Sequence, residues 1–245
     1  MRIWVFNFDG TISTRVTDRA EARLDPACES LLRSLSEKSS DQVVIVSNRS
    51  IDDIAGRVNV PGVILGGCNG IEWQLPSGYR MGAFRDYEDD LIHVRTKIVS
   101  ELYEIISGQG FEIEDKLWSI AIHGGKDSHS AWRNVTKNVS QWAKKCGLTC
   151  YCGDDQIDVQ LIQKFNKSAG ISYLTRLFNI NQSSDSIFYV GHDESDAVAL
   201  WWTMLFGGTS IVVGKKLSIP GTVYAKDSSH LAAMIVGLLL RHENS

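Results

Sequence analysis

The sequence predicts an α/β protein with a Rossmann-like core, built on a parallel sheet, and a smaller α/β domain inserted into that core. Apolar runs of strand length alternate with amphipathic runs of helix length near both ends of the chain. The middle has a different order, with two long helical stretches among several short strand-like ones. A chain of 245 residues, 43% of them hydrophobic, is long enough to bury a core in each of two domains.

The two ends of the chain predict the parallel sheet. The first part predicts strand, helix, strand, helix and strand at residues 3–8, 26–38, 42–47, 50–58 and 62–67. The same alternation returns as helix, strand, helix, strand and helix at residues 167–178, 186–191, 194–205, 209–214 and 229–241. Strands that alternate with helices in this way are typical of βαβ units, which pair their strands in parallel.

The middle of the chain predicts the inserted domain. Helices are expected at residues 89–106 and 130–145, and strands at residues 110–115, 118–124, 148–153 and 156–162. Two helices beside short strands favour a small antiparallel sheet. We therefore expect a core of residues 1–78 and 165–245 and an inserted α/β cap of residues 79–164.

Charge and hydropathy exclude two classes of partner. The net charge is −4 and the pI about 5.9, so we expect no nucleic acid and no anionic membrane as a partner. The N-terminus reaches Asp9 before a signal-peptide core could form, and the apolar run "LAAMIVGLLL" has only 10 residues. These features favour a cytoplasmic protein without a membrane span.

Three of the five cysteines, Cys146, Cys150 and Cys152, lie close together in the sequence "CGLTCYC". A metal or redox role is one interpretation, but no second cysteine or histidine pair follows at zinc spacing. Buried thiols on a strand are the favoured interpretation.

Polar segments follow four of the predicted parallel strands or precede the helix after them. They are Asn7-Phe8-Asp9-Gly10-Thr11, Ser47-Asn48-Arg49-Ser50, Asn166-Lys167 and residues 191–196, "GHDESD". Each alone has an ordinary explanation as a turn, a helix cap or a solvated charge. Together they predict a site, because open α/β sheets bind their ligands beyond the carboxyl ends of the strands. Positions 7 and 9 are expected to face the same crevice, since side chains on a strand alternate.

In order, spacing and strand context, these segments resemble the motifs of the haloacid dehalogenase (HAD) superfamily of aspartate-based phosphatases. The segments "VVIVSNRSIDDI", "LGGCNGIE", "IEDKLWSIAIH", "FNKSAGISYL" and "YVGHDESDAVAL" are similar to those of trehalose-6-phosphate phosphatases, and the likeness runs from residue 3 to about residue 235. The resemblance implies a Rossmann-like core, a mixed α/β cap between the second and third motifs, Mg²⁺ as cofactor and a phosphorylated sugar or glycoside as substrate.

The resemblance also implies a role for each residue of the motifs. Asn7 occupies the first position of the first motif, where the family has a nucleophilic aspartate that forms an aspartyl-phosphate. Asp9 matches the family's acid/base residue, and its backbone carbonyl is implied to face Mg²⁺. The phosphate-binding positions are Thr11, Ser47, Asn48 and Lys167. The positions implied for the metal are Asn7, Asp9, His192, Asp193 and Asp196.

Two positions depart from this pattern. Asn7 replaces the nucleophile, and a neutral carboxamide oxygen is a poor one, so we expect no normal turnover. The change also removes a negative charge that would face a phosphate dianion, so binding is expected to survive. His192 replaces the first Asp of a Gly-Asp-Asp motif, and its imidazole nitrogen suits Mg²⁺ poorly.

Asn7 has two explanations that the sequence leaves open. It is either an engineered Asp→Asn trap in an active sugar-phosphate phosphatase, or a natural change in a catalytically inactive sugar-phosphate-binding or regulatory protein. The rest of the motif set favours an active parent enzyme, whereas the second departure, at His192, favours natural loss.

The inserted domain carries the positions implied for substrate binding. Glu114, Lys116 and His123 match a family segment, Glu-x-Lys followed by His, that contacts the sugar. A salt-bridged strand surface is the equally weighted alternative. A family Glu-Leu-Arg stretch has no clear counterpart here, where Gln160 is the nearest polar candidate, so the sugar stays open between trehalose phosphate and another phosphorylated sugar or glycoside.

Overall fold

The computed structural model of the chain describes residues 1–14, 16, 19–84, 88–124, 129–153, 155–181, 185–215 and 217–243. The chain divides into two compact units, which are treated separately below. Unit 1 is Met1–Gly82 together with Asn166–Ser245, and unit 2 is Ala83–Phe165.

Unit 1 contains one eight-stranded sheet. In chain order its strands are β1 (Arg2–Asn7), β2 (Asp41–Val46), β3 (Ile64–Gly67), β4 (Glu72–Gln74), β5 (Arg80–Gly82), β10 (Ser186–Gly191), β11 (Thr209–Val213) and β12 (Val223–Ala225). Their order in space is β12-β11-β10-β1-β2-β3-β4-β5. The pairs from β12 to β3 are parallel, and β4 and β5 continue the sheet as an antiparallel hairpin.

Five helices cover this sheet. They are α1 (Pro26–Ser36), α2 (Ile51–Arg57), α5 (Lys167–Leu177), α6 (Glu194–Leu205) and α7 (Ser228–Glu243). Side chains alternate along β1, so Trp4 and Phe6 pack with α1, α2 and α7, while Ile3 and Val5 pack with α5 and α6. The sheet is therefore buried on both faces, which explains the nearly continuous apolar runs of its strands. The predicted α/β fold class is confirmed.

All five helices begin beside a residue whose side chain caps them, including Asp25 before α1 and Asp227 before α7. Ser50 caps α2, Asn166 caps α5, and Asp193 caps α6 in a capping box with Asp196. The caps of α2, α5 and α6 follow a strand or a loop at the carboxyl edge of the sheet, so the turns that start these helices also position polar side chains at that edge.

The strand order places a topological switch point beside β1. From β1 the chain moves through β2 and β3 toward one edge of the sheet, whereas β10, β11 and β12 build the other half. Loops leaving β1 and β10 therefore diverge to opposite faces and open a crevice between them, which is where ligands bind in open α/β sheets.

Unit 2 has a four-stranded antiparallel sheet in the order β6-β7-β9-β8. Its strands are β6 (Glu112–Asp115), β7 (Ser119–His123), β8 (Thr149–Cys152) and β9 (Gln156–Gln160), and its helices are α3 (Glu88–Ile106) and α4 (His129–Lys145). One face of the sheet forms an apolar core with these two helices.

The prediction of buried thiols is wrong for two of the three clustered cysteines. Cys146 and Cys152 are exposed and Cys150 is half-buried, whereas Cys28 and Cys68 of unit 1 are buried. For Cys152 the reason is that β8 is an edge strand, so its face is only partly covered by α4, whereas Cys146 lies in the turn that follows α4.

In the described part of the chain, none of the helices combines the length and the apolar character needed to cross a membrane.

Candidate active site

Asn7 is the centre of a hydrogen-bonded cluster at the carboxyl end of β1. Its side chain is almost fully buried. The amide nitrogen donates to the backbone carbonyl of Asp9 at 2.9 Å and to Thr11 Oγ1 at 3.1 Å, and it lies 3.2 Å from His192 Nδ1. Lys167 Nζ donates to the amide oxygen at 3.1 Å. Both halves of the carboxamide are therefore engaged, in an arrangement that suits an amide better than a carboxylate.

Gly10 allows this cluster to close. Its φ is +67°, and a Cβ at this position would lie 2.4 Å from His192 Nε2. Any side chain at position 10 would therefore displace the imidazole from Asn7. The two departures from the family pattern, Asn7 and His192, are thus in direct contact with each other.

A buried ion pair lies on the α5 and α6 side of Asn7. Lys167 Nζ donates to Asp196 Oδ1 at 2.6 Å and to Ser195 Oγ at 3.2 Å. Tyr189 Oη donates to the same Asp196 oxygen at 2.7 Å, and the His192 backbone N–H donates to Oδ2 at 2.8 Å. Burial alone would raise the pKa of the Asp196 carboxyl, but the Lys167 ammonium and His192 hold it well below its usual range. Asp196 is therefore a carboxylate with both oxygens occupied.

The carboxylate of Asp9 points to a different partner, the buried guanidinium of Arg49. Arg49 Nε donates to Asp9 Oδ2 at 2.8 Å and Nη2 donates to Oδ1 at 2.7 Å, a bidentate pair, and Arg19 lies 3.9 Å away. Burial by itself would raise the pKa of the Asp9 carboxyl, but the Arg49 and Arg19 side chains hold that pKa below its usual range. Asp9 is therefore ionised, and it would have to leave or share Arg49 before it could carry a proton.

Ser47 and Asn48, the other residues predicted to bind phosphate, are hydrogen-bonded to these two arginines. The buried Ser47 Oγ accepts from the Arg49 backbone N–H at 3.1 Å. Asn48 Oδ1 accepts from Arg19 Nη2 at 2.9 Å. The register pairs Asn7 with Val46, so Ser47 comes directly after the residue beside Asn7 on the neighbouring strand.

The structure thus brings most of the predicted core residues together. Direct contacts join Asn7, Asp9, Thr11, Lys167 and His192, and Asp196 joins them through Lys167. Ser47 and Asn48 do not contact Asn7 in these hydrogen bonds; they accept from Arg49 and Arg19, which pair with Asp9.

Arg49 and Ser195 lie in the predicted segments but had no predicted role, and Tyr189 was not predicted at all, although all three contact the cluster. The sequence offers a reason to predict a role for Arg49, because this charged residue directly follows Ser47-Asn48 at a strand end. The sequence offers no such reason for Tyr189, since an aromatic residue inside an apolar strand usually packs in the core.

The donor set does not fit Mg²⁺. In the described part of the chain, His192, Asp193 and Asp196 offer atoms within 4.8 Å of one another. Mg²⁺ prefers six oxygen ligands, but His192 offers nitrogen and both Asp196 oxygens already accept hydrogen bonds. The Asp9 carbonyl, implied to face the metal, instead accepts from the Asn7 amide. Asp193 Oδ1 caps α6 through Ser195.

Millimolar Mg²⁺ is therefore expected to leave the melting temperature of the chain unchanged. The Asn7→Asp/His192→Asp double variant should instead be stabilised, because two carboxylates would then face the Asp9 carbonyl and need a cation between them. Differential scanning fluorimetry with Mg²⁺ and with EDTA would check this, and Glu104→Gln, an exposed change on α3, is the control. Equal stabilisation of the unaltered chain would contradict the assignment.

Unit 2 has its own polar cluster on the sheet. Glu114 Oε2 lies 2.8 Å from His123 Nε2 and 4.0 Å from Lys116 Nζ. The buried Lys116 Nζ also donates to Asp158 Oδ1 at 3.2 Å. Gln160 Nε2 donates to the other oxygen of Asp158, and Gln160 Oε1 is buried without a hydrogen-bond partner among the described residues.

The three predicted substrate residues thus do come together, around Glu114, and Lys116 also pairs with Asp158, which was not predicted. Both interpretations are compatible with this geometry, because the ion pairs are those of a salt-bridged sheet, while Glu114 and His123 are partly exposed and can contact a ligand.

The arrangement of strands and helices is that of the HAD fold. One solved structure similar to this chain is a haloacid dehalogenase-like hydrolase from Bacteroides thetaiotaomicron, with a TM-score of 0.69 and 14% identity over 97% of this chain and 98% of that one. The model of the trehalose-phosphatase family matches residues 5–216, and the chain belongs to this family.

Relatives within the family differ from this chain in length. A trehalose-phosphate phosphatase of Mycobacterium tuberculosis is 29% identical over 193 residues, which cover 78% of this chain and 48% of the relative. An uncharacterised glycosyl hydrolase of the same species is 26% identical over 214 residues, 84% of this chain and 16% of the relative. The C-terminal domain of a C. albicans trehalose-6-phosphate phosphatase has a TM-score of 0.78 at 17% identity, over 97% of this chain and 91% of that domain. The chain thus spans less than half the length of the two curated relatives, the trehalose-phosphate phosphatase and the glycosyl hydrolase of M. tuberculosis.

Proposed function

We propose that this chain binds a phosphorylated sugar or glycoside in a phosphatase site of the trehalose-phosphatase family, and that Asn7 prevents it from transferring the phosphoryl group. The observation that carries the proposal is the engagement of Asn7 at the position of the nucleophile. Its amide oxygen accepts from Lys167 and its nitrogen donates to the Asp9 carbonyl, so position 7 offers no anionic oxygen to attack phosphorus.

Binding is supported by the groups that remain. Lys167 offers a fixed ammonium, while Thr11 and Ser47 offer hydroxyls that can donate to phosphoryl oxygens. Asn7 adds no negative charge that would repel a phosphate dianion. Positioning and electrostatic attraction account for most of what a protein contributes to phosphoryl transfer, so a site that has lost its nucleophile can keep its affinity.

Asp9 is the residue proposed to move a proton once a nucleophile is present. In its pair with Arg49 it is a carboxylate, the form that can accept a proton from water. To donate a proton to a leaving alcohol it would first have to gain one, which the Arg49 charge opposes. The Mg²⁺ dependence implied by the resemblance does not enter the proposal, because the donors described above do not fit that ion.

A second candidate function is regulation through sugar-phosphate binding, with catalysis lost naturally. It is favoured by the contact between Asn7 Nδ2 and His192 Nδ1 at 3.2 Å. The two side chains belong to one polar cluster, so the two departures occur at positions that touch each other. A single engineered change would not require a matching one 185 positions away.

The sugar is proposed to be selected by unit 2. The residues around Asn7 and Lys167 can hold a phosphate, but they offer little that distinguishes one sugar from another. Glu114 and His123 are partly exposed and charged or polar, so they can hydrogen-bond hydroxyls that a wrong sugar lacks.

Titration calorimetry with inorganic phosphate and with trehalose 6-phosphate or other sugar phosphates tests the proposal. Thr11→Val should weaken both kinds of ligand by roughly tenfold, because it removes a hydroxyl without changing the shape of the side chain. Glu114→Gln should weaken only the preferred sugar phosphate by a similar factor. Glu104→Gln should change neither.

Two outcomes would overturn these assignments. Failure of the unaltered chain to bind any sugar phosphate or inorganic phosphate would end the binding proposal. Equal losses for phosphate and sugar phosphate in Glu114→Gln would assign that residue to the fold of unit 2 and remove it from substrate recognition.

A further inference from the structure

Unit 2 carries a pair of thiols that the proposed function does not use. Cys150 and Cys152 are on β8, and their Sγ atoms lie 3.6 Å apart. Residues two apart on a strand face the same side. Ser140 of α4 adds a hydroxyl 3.2 Å from Cys152 Sγ. Because β8 is an edge strand, Cys152 is exposed, while Cys150 beside it is half-buried.

We propose that Cys150 and Cys152 are a site of reversible oxidation, at which a peroxide converts the two thiols into a disulfide within β8. Cys152 is the thiol that reacts with the peroxide, and Cys150 is the thiol that resolves the product. The proposal is independent of the sugar-phosphate function and requires only unit 2.

The strand geometry makes this bond strained, because two side chains on the same face of an extended strand hold their Cβ atoms farther apart than the roughly 3.5–4.5 Å that a disulfide spans, so β8 must bend when the bond forms. Two residues on an extended strand are separated by about 6.4–6.8 Å between Cα atoms, which is the upper end of the range that disulfides span. A disulfide at the limit of its geometry is strained, and strained disulfides are readily reduced. The pair is therefore suited to reversible oxidation and poorly suited to a permanent structural cross-link.

The surroundings of the two sulfurs assign the order of reaction. The hydrogen bond from Cys150, and that of Ser140, lower the pKa of Cys152 to about 6 although burial opposes this. The same contact with Cys152, together with burial, raises the pKa of Cys150. At neutral pH the exposed sulfur is then a thiolate, the form that attacks peroxides, and the neighbouring sulfur keeps its proton.

The chemistry balances in two steps with hydrogen peroxide as the oxidant. The Cys152 thiolate attacks one peroxide oxygen, so an S–O bond forms, the O–O bond breaks and hydroxide leaves, and Cys152 becomes a sulfenic acid. The Cys150 sulfur then attacks Cys152, so the S–S bond forms, the S–O bond breaks and water leaves with the Cys150 proton. The two sulfurs together lose two electrons, and the peroxide gains them.

The test uses the reduced full chain, which is treated with hydrogen peroxide, quenched with an alkylating reagent and analysed by peptide mass spectrometry. We expect an internal disulfide in the peptide that contains β8, which a dithiol reductant reverses. Cys150→Ser should instead stop at a sulfenic acid on Cys152 that a dimedone-type reagent traps. Cys146→Ser should behave as the unaltered chain, because the exposed Cys146 lies outside β8.

Rate supplies a second readout. A thiol with a lowered pKa is mostly thiolate at pH 7, so Cys152 should be oxidised faster than Cys146, by roughly tenfold. Oxidation of Cys146 at the same rate, or a β8 peptide that stays reduced while Cys146 forms disulfides between chains, would overturn the proposal. So would a sulfenic acid that persists on Cys152 while Cys150 is present.

Discussion

The Asn7→Asp/His192→Asp double variant is expected to hydrolyse a sugar phosphate up to about 10⁶ times faster than the unaltered chain, the factor by which loss of its nucleophile slows a serine protease. The carboxylate at position 7 supplies an anionic oxygen beside Lys167, whose Nζ already lies 3.1 Å from the side-chain oxygen of Asn7. The change at 192 removes the imidazole that now contacts the amide nitrogen of Asn7.

Each single variant, Asn7→Asp or His192→Asp, should gain less hydrolytic activity than the double variant. With Asn7→Asp alone, a carboxylate oxygen would stand where the amide nitrogen is, 2.9 Å from the Asp9 carbonyl and 3.2 Å from His192 Nδ1. Two oxygens would then face each other, and the imidazole would be drawn into an ion pair with the nucleophile. His192→Asp alone provides no nucleophile and should stay inert.

Phosphate release, measured across a panel of sugar phosphates with and without Mg²⁺, would check the expectation. Adding Asp9→Asn to the double variant should abolish the gain, since it removes the proposed proton carrier, and Asn7→Ala should stay inert throughout. A double variant that binds sugar phosphates but releases no phosphate would contradict the phosphatase proposal and leave the regulatory candidate as the function of this site.

The fold was predictable because its signal is repeated along the chain. Strands such as β1 and β2 are continuous apolar runs bounded by turn residues, and capping residues such as Asn166 mark where the helices begin. The hairpin β4–β5 and the strand β12 were missed, because three-residue strands leave almost no periodic pattern to detect.

The candidate site was predictable as a set of residues but not as a set of contacts. Motif order identified Asn7, Asp9 and Lys167. The pairing of Asp9 with Arg49 depends on the loops after two neighbouring strands, 40 positions apart, and the sequence contains no measure of that distance. The exposure of Cys152 likewise follows from β8 being the edge strand, which is a property of the strand order.

Replacing Asp196 by asparagine is expected to destabilise unit 1 by roughly 3–5 kcal/mol, the usual cost of leaving a buried charge without its partner. Asp196 is fully buried, and its carboxylate accepts from Lys167, Tyr189 and the His192 backbone. An asparagine can offer its oxygen to Lys167, but its NH₂ group would then face the His192 N–H, donor against donor.

The pH dependence of stability provides an independent check of this ion pair. The folded-state pKa of Asp196 lies well below the unfolded value of about 3.9. The unfolded chain therefore binds the proton first as the pH falls, so this stabilisation is fully present above about pH 4–5 and is lost progressively below it. The Asp196→Asn variant lacks this titration, and its free energy of unfolding should fall less steeply than that of the unaltered chain between about pH 5 and pH 3.

Urea unfolding of the unaltered chain and four variants would decide whether the pair acts as a unit. Lys167→Met should be about as harmful as Asp196→Asn, because it leaves the carboxylate without its cation. The Asp196→Asn/Lys167→Met double variant should be more stable than the sum of the two losses predicts, since no buried charge is left unpaired. Asp193→Asn, which keeps a capping side chain at the half-exposed start of α6, should cost less than about 1 kcal/mol. Additive losses in the double variant, or an unaltered acid dependence in Asp196→Asn, would mean that Lys167 is held by Asn7 and Ser195 instead, and that the charge of Asp196 contributes little to the stability of the site.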